Sequence, residues 1–292
     1  MKSFDVTYQK YYDFFNQYLK STLDSLDKTA PKVLREAMEY AVVDGGKRVR
    51  PILCLATADM LGLDVDSVKE FALAIELIHS YSLVHDDLPS MDNDDYRRGK
   101  FSTHKKFGEA NAILTGDALL NFAFEVCLFK DNPKITDIYA MRVIAEYAGY
   151  RGMIAGQVLD LENENNQNPT ETILYDIQNN KCAKLITAPL LVPSAICDYK
   201  YFDELKEFGY HLGILFQMVD DIMDCEGTLE DIGKTPHKDD ASDKLSSVKV
   251  FGLDGTKKRA EEHYLMCKHA LSRIDNSEFL SQLADKLYKR KK

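Results

Sequence analysis

Apolar residues recur every three or four positions along most of the chain, which is the spacing of helices that bury one face. The first such stripe consists of Tyr8, Tyr11, Tyr12, Phe15, Tyr18 and Leu19. A second helix is predicted to open near Thr29-Ala30-Pro31, with Thr29 as its cap, and to stop at Gly45-Gly46. The apolar stretch 110–129 predicts a central helix, and 135–161 predicts another long one.

The rest of the chain continues the helical pattern. A polar stretch over 162–169 predicts a loop, helices are predicted to resume at Thr170 and run past Asp224, and a final pair is predicted over 257–292. The sequence contains no strand-length alternating pattern, internal repeat or linker. It therefore predicts one all-α domain over residues 1–292.

Composition narrows the classes of function. The 292 residues include 37 Lys and Arg against 47 Asp and Glu, a net charge of −10, which argues against binding to nucleic acid or an anionic membrane. No apolar run reaches the roughly 18 uninterrupted residues of a membrane helix, and the N-terminus lacks the order of a secretory signal. The six cysteines have no paired short spacing, so zinc and disulfide sites are not indicated. We expect a cytoplasmic protein without an integral membrane segment.

Two groups of aspartates interrupt this pattern. The first acid cluster is Asp86, Asp87 and Asp92, and the second acid cluster is Asp220, Asp221 and Asp224. Helix caps or solvated faces would explain a single group, but both clusters are flanked by apolar residues. Two carboxylates about 5 Å apart repel by roughly 3 kcal/mol at an effective dielectric near 20. Hard oxygen ligands suit Mg²⁺ or Mn²⁺. If the clusters face each other, they can hold several divalent ions and a polyanion.

Spacing predicts the geometry of each cluster. Asp220 and Asp224 are four residues apart and share one helix face, whereas Asp221 lies about 100° to the side, where it could support them. In the first cluster a proline interrupts the helix, and four residues separate the second acid from the third. A bulge at this point would return Asp92 to the side of Asp86.

Basic residues gather locally on the acidic chain. In Gly45-Gly46-Lys47-Arg48-Val49-Arg50, the glycines permit a turn, and Lys47 and Arg50 can converge on an oxyanion at a helix N-terminus, although such turns are often only structural. Arg97-Arg98 follows the first acid cluster, and arginine forks suit phosphate. His79 lies two turns before the cluster, where a histidine is by itself more often a core residue. Together they indicate an anion site.

These motifs carry a resemblance. The chain resembles the trans-isoprenyl diphosphate synthases of the bacterial farnesyl diphosphate synthase (geranyltranstransferase) type, from about Leu34 to Asp243. The matching motifs, in order, are Gly45-Gly46-Lys47-Arg48-Val49-Arg50-Pro51, Ile78-His79-Ser80-Tyr81-Ser82-Leu83-Val84-His85-Asp86-Asp87, Met91-Asp92-Asn93-Asp94-Asp95-Tyr96-Arg97-Arg98-Gly99, Phe216-Gln217 with Asp220-Asp221-Ile222-Met223-Asp224, and Gly233-Lys234-Thr235.

The resemblance implies an all-α isoprenoid synthase fold, a helical bundle around a deep central cavity, in a homodimer. It implies several Mg²⁺ ions, or Mn²⁺, on the ligands Asp86, Asp87, Asp92, Asp220, Asp221 and Asp224. The implied catalytic residues are Asp86, Asp92, Arg97, Lys181, Gln217, Asp220 and Lys234. Arg97, Lys181, Gln217 and Lys234 would lie at an allylic diphosphate, and Lys47, Arg50, His79 and Arg98 would hold isopentenyl diphosphate.

The implied reaction is head-to-tail condensation of isopentenyl diphosphate with dimethylallyl or geranyl diphosphate to give (2E,6E)-farnesyl diphosphate. A geranylgeranyl or geranyl diphosphate synthase is the alternative within this class. Terpene cyclases need no second diphosphate site, so the basic residues argue against them. A non-catalytic regulatory subunit of a prenyl synthase is the alternative outside enzymes.

Product length is predicted from the helix before the first acid cluster. Tyr81, five residues before Asp86, would form a bulky floor, and Ser82 beside it adds little. A large aromatic side chain there is similar to enzymes that stop at C15, and the alternative is ordinary core packing.

The chain departs from the family pattern at three places. Cys182 follows Lys181 where threonine is usual, His237 stands where glycine is usual, and Ser247-Val248 replaces tyrosine-proline. A thiol donates only weak hydrogen bonds, so a diphosphate contact from Cys182 is not expected.

Overall fold

Helices form nearly all the regular secondary structure of the residues that the structure, a computed structural model, describes. These are residues 3–43, 46–164, 166, 168–226 and 245–290. Their contacts group into two compact units, Met1–Met141 and Arg142–Lys292. One domain over residues 1–292 stays a prediction.

The first unit carries the first acid cluster at the end of its most buried helix. Its elements are α1 (Phe4–Asp24), α2 (Lys32–Val43), α3 (Val49–Leu61), a 3₁₀ turn (Val65–Val68), α4 (Lys69–Asp86), β1 (Tyr96–Arg97), β2 (Lys100–Phe101), α5 (Thr103–Phe107) and α6 (Glu109–Leu128). The strands form an antiparallel hairpin in which Tyr96 pairs with Phe101.

The second unit carries the whole second acid cluster on one long helix. α7 (Ile135–Ala148) contains the boundary between the units. It is followed by α8 (Met153–Glu162), α9 (Glu171–Ile177), a π-helix (Gln178–Ala183), α10 (Lys184–Ile196), α11 (Phe202–Glu226), α12 (Ser247–Leu271) and α13 (Glu278–Tyr288). Thr170 caps α9 by accepting a hydrogen bond from the amide of Ile173, which confirms the predicted restart of helix.

The core of the first unit is formed by α3 and α4, whose residues 51–58 and 71–78 are all buried. The expectation that the 110–129 helix is central was wrong, because α6 buries one face and exposes Ile113 and Leu114 on another. Among the described residues, α6 alone is long and apolar enough to cross a membrane by length and composition. These criteria are weak, since core helices of soluble proteins also meet them.

The predicted long helix over 135–161 is two helices, α7 and α8. The chain turns between Gly149 and Gly152, where a Cβ added to Gly152 would lie 2.1 Å from the carbonyl oxygen of Tyr147. Only glycine allows so close an approach, which ends α7. The final helical pair also starts earlier than predicted, because α12 begins at Ser247, but α12 is kinked at Gly252, whose φ of 68° is not helical.

Candidate active site

The backbone after α4 folds back on itself. The amide of Asp92 donates a hydrogen bond of 2.9 Å to the carbonyl oxygen of Asp86, and the amide of Asn93 donates one of 3.1 Å to that of Leu88. Asn93 adopts a positive φ of 50°, which asparagine tolerates better than most residues. The predicted bulge is confirmed, because it returns Asp92 to the end of the helix that carries Asp86.

Arg97 neutralises the most buried acid of the first cluster. Its Nε lies 3.0 Å from Oδ1 and 3.3 Å from Oδ2 of Asp87, whose side chain is buried, and its Nη2 also donates to that carboxylate. Burial alone would lower the pKa of Arg97, but the hydrogen bond and charge of Asp87, with the charges of Asp86 and Asp92, raise that pKa above its ordinary value. The hairpin thus places a permanent cation at the first acid cluster.

The hairpin turn places a second arginine against the loop before α3. Arg98 and Gly99 join β1 to β2, and both have positive φ, as the two central residues of a type I′ turn require. A Cβ added to Gly46 would lie 3.1 Å from Nη2 of Arg98. The Gly46 turn and the arginine pair, predicted separately from the sequence, therefore meet.

His79 lies among these arginines. Burial lowers the pKa of His79 well below its ordinary value, and the charges of Arg50, Arg98 and Arg97 lower it further. The imidazole is therefore neutral at physiological pH and adds hydrogen-bonding capacity without more charge.

The carbonyl oxygen of Lys47 accepts a hydrogen bond from the hydroxyl of Tyr8, and Lys47 is exposed.

Arg48, the middle cation of the run before α3, is structural. Its Nη1 lies 2.6 Å from Oε1 of Glu76, and its Nη2 donates to the carbonyl oxygens of Val42 and Val43 at 2.7 and 2.9 Å. Both charged side chains are buried. Sequence reasoning missed this pair; its signal is the lone carboxylate of Glu76 inside the apolar run of α4, which requires a cation.

Tyr81 lies next to the first acid cluster. It is buried, its ring centroid is 5.8 Å from that of His85, and burial followed by the charge of Asp86 raises its pKa to about 12. His85 in turn occupies the space above Gly116, where an added Cβ would lie 2.0 Å from Nε2. The hydroxyl of Ser82 bonds back to its own helix, at the carbonyl oxygen of His79.

In the second unit the π-helix positions Lys181. π-helical turns occur often at functional sites because they change the direction of side chains within a helix. A Cβ on Gly156 would lie 2.0 Å from the amide nitrogen of Lys181, and one on Gly213 would lie 2.3 Å from Cα of Ala183. These glycines of α8 and α11 let two helices approach the π-helix closely. Lys181 directs its amine to Oδ2 of Asp160 at 2.5 Å.

The second acid cluster divides as its spacing predicts. Asp220 and Asp224 are partly exposed, whereas Asp221 is buried. Oδ1 of Asp221 accepts a hydrogen bond of 2.8 Å from Nε2 of Gln217, and Oδ2 accepts one of 2.7 Å from the amide of Ser247. These contacts hold Asp221 off the face of Asp220 and Asp224, and its support of those two residues stays a prediction.

Arg290, which sequence reasoning did not select, pairs with the second acid cluster. Its Nη1 lies 2.8 Å from Oδ1 of Asp220, and its guanidinium carbon lies 5.9 Å from the ring centroid of Phe216. The sequence signal is the basic run over residues 286–292, but a run of charge does not identify a partner 70 positions away.

Some predicted residues lie outside the described part of the chain, namely Gly45, Lys234 and His237. Within the described residues no three histidine, cysteine or acidic side chains are grouped as a ready-made metal cage.

Comparison with known proteins agrees with these features. Residues 31–281 match the family described as polyprenyl synthetase. The farnesyl diphosphate synthase of Geobacillus stearothermophilus is 42% identical over 250 residues, 84% of this chain and 84% of that protein. That of Haemophilus influenzae is 39% identical over 283 residues, 94% of this chain and 95% of that protein. A heterodimeric geranylgeranyl pyrophosphate synthase large subunit of Arabidopsis thaliana is 39% identical over 264 residues, 87% of this chain and 71% of that protein.

Solved structures resemble the whole chain. The geranyltransferase of Helicobacter pylori, complexed with magnesium and isoprenyl diphosphate, has a TM-score of 0.84 and 32% identity, covering 97% of this chain and 97% of that chain. The predicted all-α isoprenoid synthase fold is confirmed, while its central cavity stays a prediction. On its sequence motifs, its fold and these likenesses, the chain belongs to the polyprenyl synthetase family.

Proposed function

We propose that the chain is a Mg²⁺-dependent prenyltransferase that condenses isopentenyl diphosphate with dimethylallyl or geranyl diphosphate to give (2E,6E)-farnesyl diphosphate. One observation carries this proposal: two consecutive arginines lie against two different groups of candidate site residues. Arg97 lies on the first acid cluster, and Arg98 lies on the Gly46 turn near His79. A metal–diphosphate site and a separate anion site on neighbouring residues are what a transferase with two diphosphate substrates needs.

The first acid cluster and the second acid cluster are assigned to the metal. Asp86, Asp92, Asp220 and Asp224 would bind Mg²⁺, or Mn²⁺, directly, since their carboxylates are hard oxygen ligands. Asp87 and Asp221 were expected to join them. Their oxygens are engaged by Arg97 and by Gln217 and Ser247, which supports a task of holding each cluster in place. Bound Mg²⁺ would neutralise the leaving diphosphate.

The allylic diphosphate is assigned to cations beside the two clusters. The surrounding acids keep Arg97 charged. Lys181 lies on the π-helix, whose backbone is closely packed by Gly156 and Gly213. The residue after it, Cys182, donates a hydrogen bond to Gln217. Lys234 completes this set by its motif alone. Fixed cations that need no rearrangement stabilise charge as it develops on the leaving group.

Isopentenyl diphosphate is assigned to Lys47, Arg50, His79 and Arg98. Arg98 is an exposed residue, but desolvation of its guanidinium by the surrounding chain lowers its pKa below the ordinary value. A diphosphate between these side chains would replace the lost solvation with charge-assisted hydrogen bonds. The neutral imidazole of His79 would contribute a directional hydrogen bond there.

The chemistry follows from these assignments. Heterolysis of the carbon–oxygen bond releases diphosphate and leaves an allylic cation, stabilised where water is excluded. The double bond of isopentenyl diphosphate attacks C1 of this cation, and the departed diphosphate accepts the proton that is lost. Tyr81 sets the product at C15 by occupying the space next to Asp86.

The protein is proposed to act as a cytoplasmic homodimer. The exposed apolar side chains of Ile113 and Leu114 on α6 support this, because adjoining apolar side chains on one helix are more often covered by a partner than left in water.

Incubation with labelled isopentenyl diphosphate, geranyl diphosphate and Mg²⁺ tests the function. We expect farnesyl diphosphate, and no product when a chelator removes the metal. A C20 product would favour a geranylgeranyl diphosphate synthase. Absence of prenyl product with dimethylallyl, geranyl or farnesyl primers would favour a non-catalytic regulatory subunit instead.

A further inference from the structure

A ring of hydrogen bonds links the π-helix, α11 and the start of α12. The thiol of Cys182 donates to Oε1 of Gln217 at 3.1 Å, and Nε2 of Gln217 donates to Oδ1 of Asp221 at 2.8 Å. Oδ2 of Asp221 accepts from the amide of Ser247 at 2.7 Å. The ring closes where Nε2 of Gln178 donates to the hydroxyl of Ser247 at 2.7 Å.

The chemistry of the ring fixes the direction of each bond. An ionised carboxylate only accepts hydrogen bonds, so Gln217 must turn its NH₂ group towards Asp221. Its carbonyl oxygen then faces position 182, which must supply a donor. A thiol is a weak donor, but it supplies the second of the two hydrogen bonds that hold the Gln217 amide at both ends. Cys182 therefore determines how firmly Gln217 is held.

The main chain around this ring has little freedom. Gly156 and Gly213 approach the π-helix so closely that any added Cβ would meet its backbone at 2.0 to 2.3 Å. Because the backbone at 181–183 is held on two sides, the side chain of Gln217 is the adjustable member of the ring. Gln217 lies one turn before Asp220 on α11, next to the carboxylates assigned to the metal.

We propose that Cys182 is a positioning residue for allyl transfer, acting through Gln217 on Asp221. This inference rests on the proposed function and adds a residue to it. Without a donor at position 182 the carbonyl oxygen of Gln217 loses its partner, and the side chain, held at one end only, can swing away from Asp221. Asp221 then loses its hydrogen bond from Gln217, and the second acid cluster loses the link through Gln217 to the π-helix, while the bond from the Ser247 amide remains.

Two isosteric substitutions separate hydrogen bonding from packing. Threonine and valine have the same shape, but only threonine has a donor, so Cys182→Thr keeps the ring and Cys182→Val breaks it. With geranyl diphosphate as primer, we expect Cys182→Thr to retain kcat within about twofold and Cys182→Val to lose about tenfold, the rate equivalent of one lost buried hydrogen bond. KM for isopentenyl diphosphate is expected to stay unchanged, since its assigned residues are not in the ring.

Two controls make the test specific. Cys197→Val changes another partly exposed cysteine, at the end of α10, and is expected to leave kcat unchanged. In a Gln217→Ala background, Cys182→Val should have less than a twofold effect, because coupled residues are not additive.

Equal kcat values for Cys182→Thr and Cys182→Val, or an undiminished effect of Cys182→Val in the Gln217→Ala background, would overturn the positioning role while leaving the proposed function standing. Failure of the wild-type protein to form any prenyl product would instead overturn both.

Discussion

Replacing Tyr81 with alanine would remove the buried ring that adjoins Asp86. The ring is 5% exposed and rests edge-on against His85, which is itself held on α6 at Gly116. Because His85 cannot follow the truncated side chain without leaving this contact, most of the vacated space is expected to remain open. Tyr81→Ala should therefore shift the main product from C15 to C20.

Two free-energy terms oppose each other in this variant. Truncating a buried aromatic residue to alanine costs about 3–5 kcal/mol of folding free energy. One further isoprene unit has five carbons, which at about 0.8 kcal/mol per buried methylene contribute about 4 kcal/mol if they fill the same space. Even a third of that contribution would favour extension of the bound C15 chain to C20 over its release by about tenfold.

The assay is chromatography of labelled products after removal of the diphosphate, with thermal unfolding measured on the same samples. Tyr81→Phe is the matched control, because it keeps the ring and removes a hydroxyl that has no hydrogen-bond partner among the described residues. Tyr81→Phe should keep C15 product and near wild-type stability. A Tyr81→Ala variant that is destabilised as expected but still stops at C15 would refute the floor role and leave Tyr81 as core packing.

Three further predictions concern parts of the chain outside the floor. Glu76→Gln leaves the buried charge of Arg48 without its carboxylate partner. The free energy of unfolding measured in urea should fall by about 3–5 kcal/mol. A fall of less than about 1 kcal/mol would contradict the structural role of the pair. Burial, followed by the charges of His211 and Arg259, lowers the pKa of His263 to about 4 from its ordinary 6.5, so the unfolded chain binds the proton more readily. Stability should be full above pH 6.5 and fall as pH drops towards 4, and His263→Gln should flatten unfolding curves across that window. Arg290→Gln removes the cation that pairs with Asp220 in the second acid cluster. Mn²⁺ should then bind more tightly in a titration followed by electron paramagnetic resonance, because the metal no longer competes with Arg290 for Asp220. Weaker Mn²⁺ binding would contradict this competition.

The helical class and the first acid cluster were predictable because each depends on near neighbours in sequence. Periodicity identifies a buried helix face, and the spacing from Asp86 to Asp92 implies the bulge that their 2.9 Å backbone hydrogen bond confirms. The buried position of Asp221, off the face of Asp220 and Asp224, likewise follows from 100° per residue.

Features that depend on distant packing were not predictable. The π-helix at 178–183 lies in a polar stretch with no periodic signal, and the glycines that hold it come from α8 and α11. The exposed face of α6 shows the same limit, since composition reports how apolar a helix is but not which neighbours cover it.

In the run Lys47-Arg48-Val49-Arg50, sequence alone could not show that Arg48 has a different role from Lys47 and Arg50. All three of its cations suit an anion, and only the position of Glu76 makes the middle one structural.

The central claim is that aspartates of both acid clusters bind divalent cations that carry an allylic diphosphate. The most direct measurement is a crystal structure with Mn²⁺ and a non-hydrolysable geranyl diphosphate analogue, in which anomalous scattering locates the metal. We predict Mn²⁺ within coordination distance of carboxylate oxygens of Asp86, Asp92 and Asp220, with analogue oxygens completing its ligand shell. An analogue bound away from these aspartates, with no anomalous peak beside either cluster, would contradict the account.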